Sequence, residues 1–330
     1  MKKVRIAQIG TSRFSHGNSI IKSLLKQSDL YEVAGYVLPE NEREKFPEAM
    51  VNFEGIRELT LEEVLSDPTI EAVAVETEEK YLTKYATLAA KAGKHIHMEK
   101  PGGYDLNAFE EFIEEMEKSG KVLHTGYMYR YNPEVKKLLK EIEAGELGDI
   151  ISVDAQMSGK HPDEQREWLK EIPGGMMFFL GCHLIDLVLK IKGTPKRIVP
   201  FIKNSGVNGI DAPDVTMTVF EYDNGFAFVK TNDIELGGFA RRNLVVVGSK
   251  KTVEIRPFEI LCPTGQKTTT TTFSSEEWCD NGNEITTEVF DRYDEMVGNF
   301  AKIIRGEGEN PATLDYELEL YKTVMKAIGR

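Results

Sequence analysis

Two ionisable side chains, Lys100 and His183, stand in sequence settings that suit proton transfer. Lys100 follows the run HIHME and precedes Pro101, a pattern that places it at the end of a buried strand. A lysine there points into a crevice, and the proline fixes the backbone just beyond it. His183 lies in the apolar helical stretch PGGMMFFLGCHLIDL. We predict that these two residues carry acid–base chemistry on a hydroxyl group.

The residues around His183 predict a substrate pocket. Phe179, His183 and Asp186 stand at i, i+4 and i+7, so on a regular α-helix they share one face. Phe179 is either an apolar wall for a substrate or part of a packed interface. Trp168, on the preceding loop, either contacts a ligand or packs internally. The predicted substrate-binding residues are Tyr131, Asn132, Trp168, Phe179 and His183.

A degenerate glycine turn follows the first predicted strand, VRIAQIG. Its sequence, GTSRFSHG, has Gly10, Ser12 and Ser15 where a dinucleotide-binding turn has three glycines, and Arg13 can pair with a diphosphate. A plain strand–helix turn is the alternative. The predicted cofactor-binding residues are Gly10, Ser12, Arg13, Ser15, Leu38, Thr77, Glu99 and Lys100.

The end of the second predicted strand bears on the choice of cofactor. Leu38 stands where an acid usually binds the ribose hydroxyls, and Glu40 is the candidate to replace that acid. Arginine or lysine does not follow Leu38 immediately, so a 2′-phosphate has no evident partner. The cofactor is therefore NAD or NADP, with NAD slightly favoured.

The order of elements predicts how these residues are positioned. Strands alternate with helices in residues 1–128, which predicts a doubly wound parallel sheet of the dinucleotide-binding Rossmann type. Residues 129–330 carry longer strands, among them the hairpin YDNGFAF, and predict an α+β domain. We expect its sheet to be open-faced and mostly antiparallel, and to serve substrate binding and oligomerisation.

Composition limits the class of protein. The net charge of −13 argues against nucleic acid, and a membrane span, which needs roughly 18 apolar residues, is not evident. The three cysteines have no paired spacing, and we expect neither a metal site nor disulfides. A signal peptide is not evident either, so the cytoplasm is the expected location.

Three motifs together resemble one protein family. The segments AGKHIHMEKP, GYMYRYNP and GGMMFFLGCHLID are similar to those of Gfo/Idh/MocA oxidoreductases. The resemblance implies a nicotinamide cofactor, a sugar, polyol or cyclitol substrate, and a homodimer or homotetramer. It also implies that Lys100 is the site lysine with a cis bond to Pro101, that His183 is a base or substrate ligand, and that Asp186 supports the helix. Phe179 replaces an aspartate of the family pattern.

Three hypotheses for function follow. The first is an NAD(P)-dependent dehydrogenase acting through Lys100 and His183. The second is an elimination or hydrolysis assisted by a bound NAD that is recycled. The third is a non-catalytic nucleotide- or sugar-binding member of the family, which the altered glycine turn favours.

Overall fold

The computed structural model describes residues 2–330, and the chain forms two compact units. Unit 1 contains the residues up to Met128 together with Tyr293–Tyr321, and unit 2 contains Tyr129–Arg292 and Lys322–Arg330. Segment 293–321 lies in unit 1, so unit 2 is not one continuous stretch from residue 129 to residue 330.

Unit 1 is built on a five-stranded parallel sheet in the order β2-β1-β3-β4-β5. Its strands are β1 Val4–Ile9, β2 Tyr31–Val37, β3 Ala72–Val75, β4 His95–Met98 and β5 Leu123–Thr125. Glu58 adds a single parallel bridge to Tyr36 beyond β2. Because β1 lies between β2 and β3, the direction of winding reverses beside it, and open α/β sheets bind ligands at such a point.

The helices of unit 1 cover this sheet. Those within residues 2–128 are α1 Gly17–Lys26, α2 Glu42–Lys45, α3 Leu61–Ser66, α4 Leu82–Lys91 and α5 Leu106–Ser119. Apolar spacing explains α1, which buries Ile20, Ile21 and Leu24. Capping explains the start of α5, where the Asp105 carboxylate accepts a hydrogen bond from the Ala108 N–H.

Unit 2 is built on an eight-stranded sheet in the order β15-β14-β11-β10-β6-β9-β8-β7. These strands are β6 Ile150–Gln156, β7 Arg197–Lys203, β8 Val215–Tyr222, β9 Gly225–Asn232, β10 Asn243–Gly248, β11 Thr252–Ile255, β14 Thr269–Phe273 and β15 Asn283–Thr286. Strands β12 Ile260–Cys262 and β13 Gly265–Lys267 form a separate pair. Only β6 and β9 pair in parallel in the described sheet, so the expected mostly antiparallel sheet is confirmed.

The remaining helices are α6 Pro133–Glu143, α7 Asp163–Trp168, α8 Cys182–Lys192, α9 Asp294–Ile304 and α10 Leu314–Ala327. A five-residue π-helix, Met177–Gly181, leads directly into α8. Strands β8 and β9 form the predicted hairpin, in which Tyr222 pairs with Gly225 across Asp223 and Asn224. Side chains of β8 and β9 alternate between a buried face and a more exposed face. Within residues 2–330, no helix combines the length and the apolar character needed to cross a bilayer.

Candidate functional site

The turn after β1 is packed tightly against the end of β3. Gly10 has a φ of +88°, and a Cβ placed on it would lie 2.3 Å from Thr77 Cγ2. The Gly10 N–H donates a hydrogen bond to the Val37 carbonyl at 2.7 Å. Glycine is therefore required here for its backbone conformation and for the missing side chain. The structure brings together Gly10 and Thr77, two of the residues predicted to bind a cofactor.

The polar side chains of this turn are used to shape it. Ser12 Oγ accepts a hydrogen bond from the Ser15 N–H at 3.2 Å, and Ser15 Oγ accepts one from the Gly17 N–H at 3.3 Å. Arg13 Nε donates to Glu48 at 3.0 Å, and the Arg13 side chain is 38% exposed. The two serines thus compensate locally for the glycines that they replace, and Arg13 keeps an accessible positive charge at the turn.

Glu42 is the acid that reaches the turn. Its Oε2 accepts a hydrogen bond from the Thr11 N–H at 3.0 Å, while Oε1 is buried and accepts none from residues 2–330. Burial raises the pKa of Glu42 to about 8, although the Thr11 N–H acts in the opposite direction. A buried polar oxygen without a hydrogen-bond donor is uncommon in folded proteins.

Glu40 does not take this position. Its Oε1 accepts hydrogen bonds from Lys84 Nζ at 2.6 Å and from the Tyr85 hydroxyl at 2.8 Å. Leu38 follows β2 and is half-buried. Glu40, the candidate to replace the ribose-binding acid, is thus engaged by Lys84 and Tyr85, whereas Glu42 reaches the Thr11 N–H. Glu40 and Asn41 both have left-handed backbone conformations, with φ of 59° and 57°.

Lys100 lies directly after β4, as the sequence predicts. Its side chain is 3% exposed, and its Nζ lies 3.7 Å from Glu99 Oε1, which also accepts a hydrogen bond from the Lys100 N–H at 3.0 Å. The bond from Lys100 to Pro101 is cis, as the family resemblance implied. The structure thus places a buried ammonium group beside a carboxylate at the end of β4.

Glu99 also holds the start of α1. Its Oε2 accepts a hydrogen bond from the His16 N–H at 3.2 Å and lies 3.1 Å from His16 Nδ1. Burial acts to raise the pKa of Glu99, but His16 and Lys100 outweigh it and hold that pKa below its usual range. Glu99 is thus an ionised group that fixes both the turn and Lys100.

Three further glutamates follow β3. Glu76 is fully buried, and neither of its oxygens accepts a hydrogen bond from residues 2–330. Burial, followed by the charge of Glu99, raises its pKa well above the usual value. Burial also raises the pKa of Glu79 to about 7. Glu78 pairs with Lys45 at 2.8 Å and Lys80 at 3.5 Å, so its charge is largely balanced.

In unit 2, Asp186 holds α8 in place. Arg130 donates to both Asp186 oxygens, at 2.9 and 2.8 Å, and both side chains are buried. This confirms the supporting role predicted for Asp186. His183, one turn earlier, is 1% exposed and packs against the edge of the Tyr129 ring, with 5.1 Å between the ring centroids. Tyr129 in turn accepts a hydrogen bond from Arg292 at 3.3 Å.

The aromatic residues before His183 form a separate pair. Phe179 packs against Trp168 in an edge-on arrangement with centroids 5.1 Å apart. Phe179 lies in the π-helix and His183 in α8, so the regular α-helical spacing assumed between them is interrupted. The Trp168–Phe179 pair, rather than Phe179 alone, is the apolar feature of this region.

Asn132 and Tyr131 have different settings. Asn132 Oδ1 caps α6 by accepting hydrogen bonds from the Glu134 and Val135 N–H groups. The side-chain amide nitrogen Nδ2 of Asn132 donates to Thr268 Oγ1 at 2.8 Å. These bonds make Asn132 a structural residue of unit 2. Tyr131 precedes it and is 8% exposed. Among residues 2–330, no group of three or more His, Cys, Asp or Glu side chains has the arrangement of a metal site.

These residues fit a dinucleotide at the winding reversal of unit 1. The tight Gly10 turn, the accessible Arg13 and the unpartnered Glu42 oxygen are three independent features of the same edge. Two N–H groups of the turn region, those of Thr11 and His16, donate to the carboxylates of Glu42 and Glu99. The sequence analysis did not identify Glu42 or Glu76 as site residues. Glu76 immediately follows β3, and ligands bind at the carboxyl ends of parallel strands, so its position in the sequence could have identified it.

Two sequence profiles match the chain. The profile described as "Oxidoreductase family, NAD-binding Rossmann fold" matches residues 4–127, and the profile described as "GFO/IDH/MocA C-terminal domain" matches residues 135–254. Together they cover most of the chain.

Individual relatives agree with this result. An uncharacterised oxidoreductase of Rhizobium meliloti is 24% identical over 346 aligned positions, which cover 100% of this chain and 97% of that protein. The scyllo-inositol 2-dehydrogenase (NADP+) of Bacillus subtilis is 29% identical over 203 residues, 60% of this chain, and the match spans 55% of that protein.

A solved structure shows the same fold. A putative NADPH-dependent oxidoreductase of Desulfitobacterium hafniense superimposes with a TM-score of 0.81 at 21% identity, covering 100% of this chain and 95% of that one.

Proposed function

The chain belongs to the Gfo/Idh/MocA family of oxidoreductases, and on that premise we propose that it is an NAD(P)-dependent dehydrogenase of a sugar, polyol or cyclitol. The observation that carries the proposal is Lys100, a buried ammonium group 3.7 Å from the ionised Glu99 at the carboxyl end of β4. β1 and β4 are parallel strands of one sheet, so Lys100 and the Gly10 turn lie at the same edge of that sheet.

The cofactor would lie against the first turn. Gly10 and Thr77 allow close approach of the backbone, Ser12 and Ser15 shape the turn, and Arg13 offers a charge to a diphosphate. When bound, the oxidised nicotinamide supplies the acceptor for a hydride.

We infer a preference for NAD over NADP. The Glu42 carboxylate, fixed on the Thr11 N–H, would accept a ribose hydroxyl but would repel a 2′-phosphate once ionised. The nearby lysines Lys45, Lys80 and Lys84 are paired with Glu78 or Glu40. Two carboxylates thus offset two of these three positive charges.

Proton movement completes the reaction. Oxidation of an alcohol removes a hydride from carbon and a proton from oxygen, so a base must receive the proton. In this proposal Lys100 polarises or protonates the substrate oxygen, and His183 takes or relays the proton. The Trp168–Phe179 pair supplies an apolar surface for a sugar ring, with Tyr131 beside Asn132 as a further substrate contact.

The relatives guide the choice of substrates. The Bacillus subtilis relative is named for the oxidation of scyllo-inositol, which is a cyclitol. A panel of inositols, aldoses and linear polyols is therefore the rational first screen.

One observation favours a second candidate, a non-catalytic binding protein of the same fold. The Thr11 and His16 N–H groups are held by the chain's own carboxylates, so a diphosphate finds fewer amide donors than in an open turn. Mass spectrometry of nucleotide released from the purified protein, followed by calorimetric titration with NAD and NADP, separates the two candidates. Absence of binding to both up to millimolar concentration overturns the dehydrogenase.

The catalytic assignment is tested with a substrate from the panel. Lys100→Met and His183→Ala should each lower kcat by about 10²- to 10⁴-fold, the contribution of a general acid or base. Lys91→Met, which changes an exposed lysine at the end of α4, is the matched control and should retain kcat. If both active-site variants keep near-parent kcat, the assignment is wrong.

A further inference from the structure

We propose that His161 and Asp233 form a second acid–base pair in unit 2, in which His161 exchanges a proton with the substrate hydroxyl and Asp233 positions the imidazole. The pair rests on the proposed dehydrogenase function, because a hydroxyl proton must be transferred during that reaction. It adds a histidine that lies outside α8.

The backbone holds the two residues against each other. The His161 N–H donates to the Asp233 carbonyl at 3.1 Å, and the Gly159 N–H donates to the Asn232 carbonyl at 2.9 Å. The Glu235 N–H donates back to Gly159 at 3.0 Å, and Lys160 bridges to Ile234. These hydrogen bonds continue the pairing of β6 with β9 beyond the ends of both strands. The backbone of His161 is therefore fixed by strand-like pairing.

The Asp233 carboxylate is directed at His161. Its side chain is fully buried, Oδ1 is hydrogen-bonded to His161 Nδ1, and Oδ2 has no hydrogen-bond partner within residues 2–330. Burial raises the pKa of Asp233, while the hydrogen bond and charge of His161 act to lower it. A carboxylate buried with an imidazole as its hydrogen-bond partner fixes the orientation and tautomer of that ring.

The neighbouring acid Asp214 is paired with Arg166 rather than with His161. Asp214, whose carbonyl accepts a hydrogen bond from the Asp233 N–H at 2.9 Å, has its own buried cation. Arg166 donates to Asp214 Oδ2 at 2.8 Å, and the Ser205 N–H donates to Oδ1 at 2.7 Å. Arg166 thus neutralises Asp214, and His161 is left as the partner of Asp233.

The His161 ring is positioned on its other side by Gly159. A Cβ placed on Gly159 would lie 3.3 Å from Cε1 and 3.6 Å from Nε2 of His161, so the ring lies close over this glycine. The side chain is 23% exposed, whereas His183 is 1% exposed as a residue. With Nδ1 engaged by Asp233, Nε2 is the nitrogen available to a ligand.

The pair also lies near the predicted substrate surface. Helix α7 begins two residues after His161 and ends at Trp168, which packs against Phe179. A Cβ placed on Gly181, at the end of the π-helix, would lie 3.4 Å from Thr231 Cγ2. Thr231 precedes Asp233 by two residues, so the π-helix and the pair meet at one end of β9.

In this proposal the proton of the substrate hydroxyl moves to the His161 ring. With the neutral ring protonated at Nδ1, Nε2 accepts the hydroxyl proton, directly or by relay from His183, as the O–H bond breaks and an N–H bond forms. A bound oxidised nicotinamide would supply the acceptor for the C–H electron pair as hydride, so that the carbonyl could form. Asp233 stabilises the resulting imidazolium without itself receiving the proton, as in other carboxylate–imidazole pairs.

The pair can be tested first without a substrate. In a ¹⁵N-labelled protein at neutral or higher pH, long-range ¹H–¹⁵N spectra should show His161 protonated at Nδ1 with a bare Nε2. Asp233→Asn should change that tautomer pattern, and His161→Gln assigns the signals. Finding the neutral ring of the parent protonated at Nε2 overturns the pair, whatever the protein catalyses.

Kinetics then test its role. With an active parent, His161→Gln should lower kcat by about 10²- to 10⁴-fold with a smaller change in KM. Imidazole added to a His161→Gly variant should restore part of kcat, which a structural role would not produce. Lys170→Gln is the control and should retain kcat. Lys170 is an exposed lysine on the turn after α7, where it pairs with Glu167.

The kinetic outcomes separate the two proposals. Unchanged kcat in His161→Gln with an active parent overturns the catalytic role of the pair and leaves the dehydrogenase intact. A parent that binds neither nucleotide overturns the dehydrogenase, and with it the catalytic role, while the ¹⁵N spectra still decide whether the pair exists.

Discussion

The Glu42 carboxylate accepts a hydrogen bond from the Thr11 N–H at 3.0 Å, so an acid beyond the end of β2 is fixed on the turn that follows β1. Glu42 is fully buried, and its second oxygen has no donor within residues 2–330. In the proposed function, the ribose of a bound dinucleotide would lie beside the end of β2, the part of the chain from which Glu42 reaches the turn.

Glu42 should therefore determine cofactor affinity and choice. At pH 9, where Glu42 is ionised in the folded protein, Glu42→Gln removes a charged acceptor, so we expect NAD affinity to fall about 10- to 100-fold. NADP should lose less affinity, because the variant no longer repels its 2′-phosphate. Isothermal titration with both nucleotides measures the ratio. Glu44→Gln, an exposed change on the same short helix, is the control, and unchanged NAD affinity in Glu42→Gln would contradict this role.

The same residue should make stability depend on pH. The pKa of Glu42 is raised from 4.5 to about 8 by burial, so between these values the unfolded chain is ionised and the folded chain keeps its proton. The folded state then binds more protons, and the free energy of unfolding decreases as pH rises through this window, by on the order of 4 kcal/mol. Below about pH 4.5 the penalty is absent.

Glu42→Gln should remove this dependence. Relative to the parent, the variant should gain stability as pH rises from 5 to 8.5, as measured by urea denaturation followed by intrinsic fluorescence. Glu44→Gln should run parallel to the parent over the same range. Parallel curves for Glu42→Gln as well would show that Glu42 titrates alike in both states.

How far the sequence predicts this site depends on the kind of contact involved. Gly10, Thr77 and Lys100 follow parallel strands, and the carboxyl ends of such strands share one edge, so their grouping follows from local patterns. Glu42 could not be assigned in this way. Its approach to Thr11 depends on left-handed conformations at Glu40 and Asn41, which residues other than glycine adopt rarely.

Unit 2 shows two further limits. The face shared by Phe179 and His183 was derived from 3.6 residues per turn, and the π-helix breaks that period within the motif. His161 and Asp233 are separated by 72 positions and meet through strand pairing, so local sequence does not reveal their contact. Asp186 was placed well because the family resemblance, rather than periodicity, identified its supporting role.

Gly10 should be indispensable to the turn. Gly10→Ala adds a Cβ 2.3 Å from Thr77 Cγ2 and 2.7 Å from Thr77 Cα at a φ of +88°, so we expect a loss of about 2 to 4 kcal/mol in stability. Nucleotide affinity should fall even where the variant remains folded, because the turn must shift away from β3. Thermal unfolding and calorimetric titration measure the two effects.

Gly93→Ala separates backbone strain from the steric clash at Gly10. Gly93 has a φ of +70°, but its added Cβ meets no heavy atom of the described chain within 4 Å. Its cost should be about 1 kcal/mol, that of a left-handed residue alone. Equal losses for the two variants would show that the contact with Thr77 does not restrict Gly10.

The exposed face of the unit 2 sheet leads to the last prediction, that the protein forms a dimer or tetramer through this sheet. Val199, Val219 and Phe228 stand side by side on β7, β8 and β9, and Phe201 and Phe226 extend this surface with exposures of 45% and 52%. A continuous apolar face on one side of an antiparallel sheet is stabilised when a second copy covers it. Light scattering at micromolar concentration should give a multiple of 37.2 kDa.

Phe226→Asp places a charge on that face and should shift the mass to the monomer without unfolding unit 2, because the side chain points away from the buried face. Trp278→Asp, at a fully exposed tryptophan outside the strands, should leave the mass unchanged. A monomeric parent, or an oligomer that survives Phe226→Asp, would rule out assembly through this face.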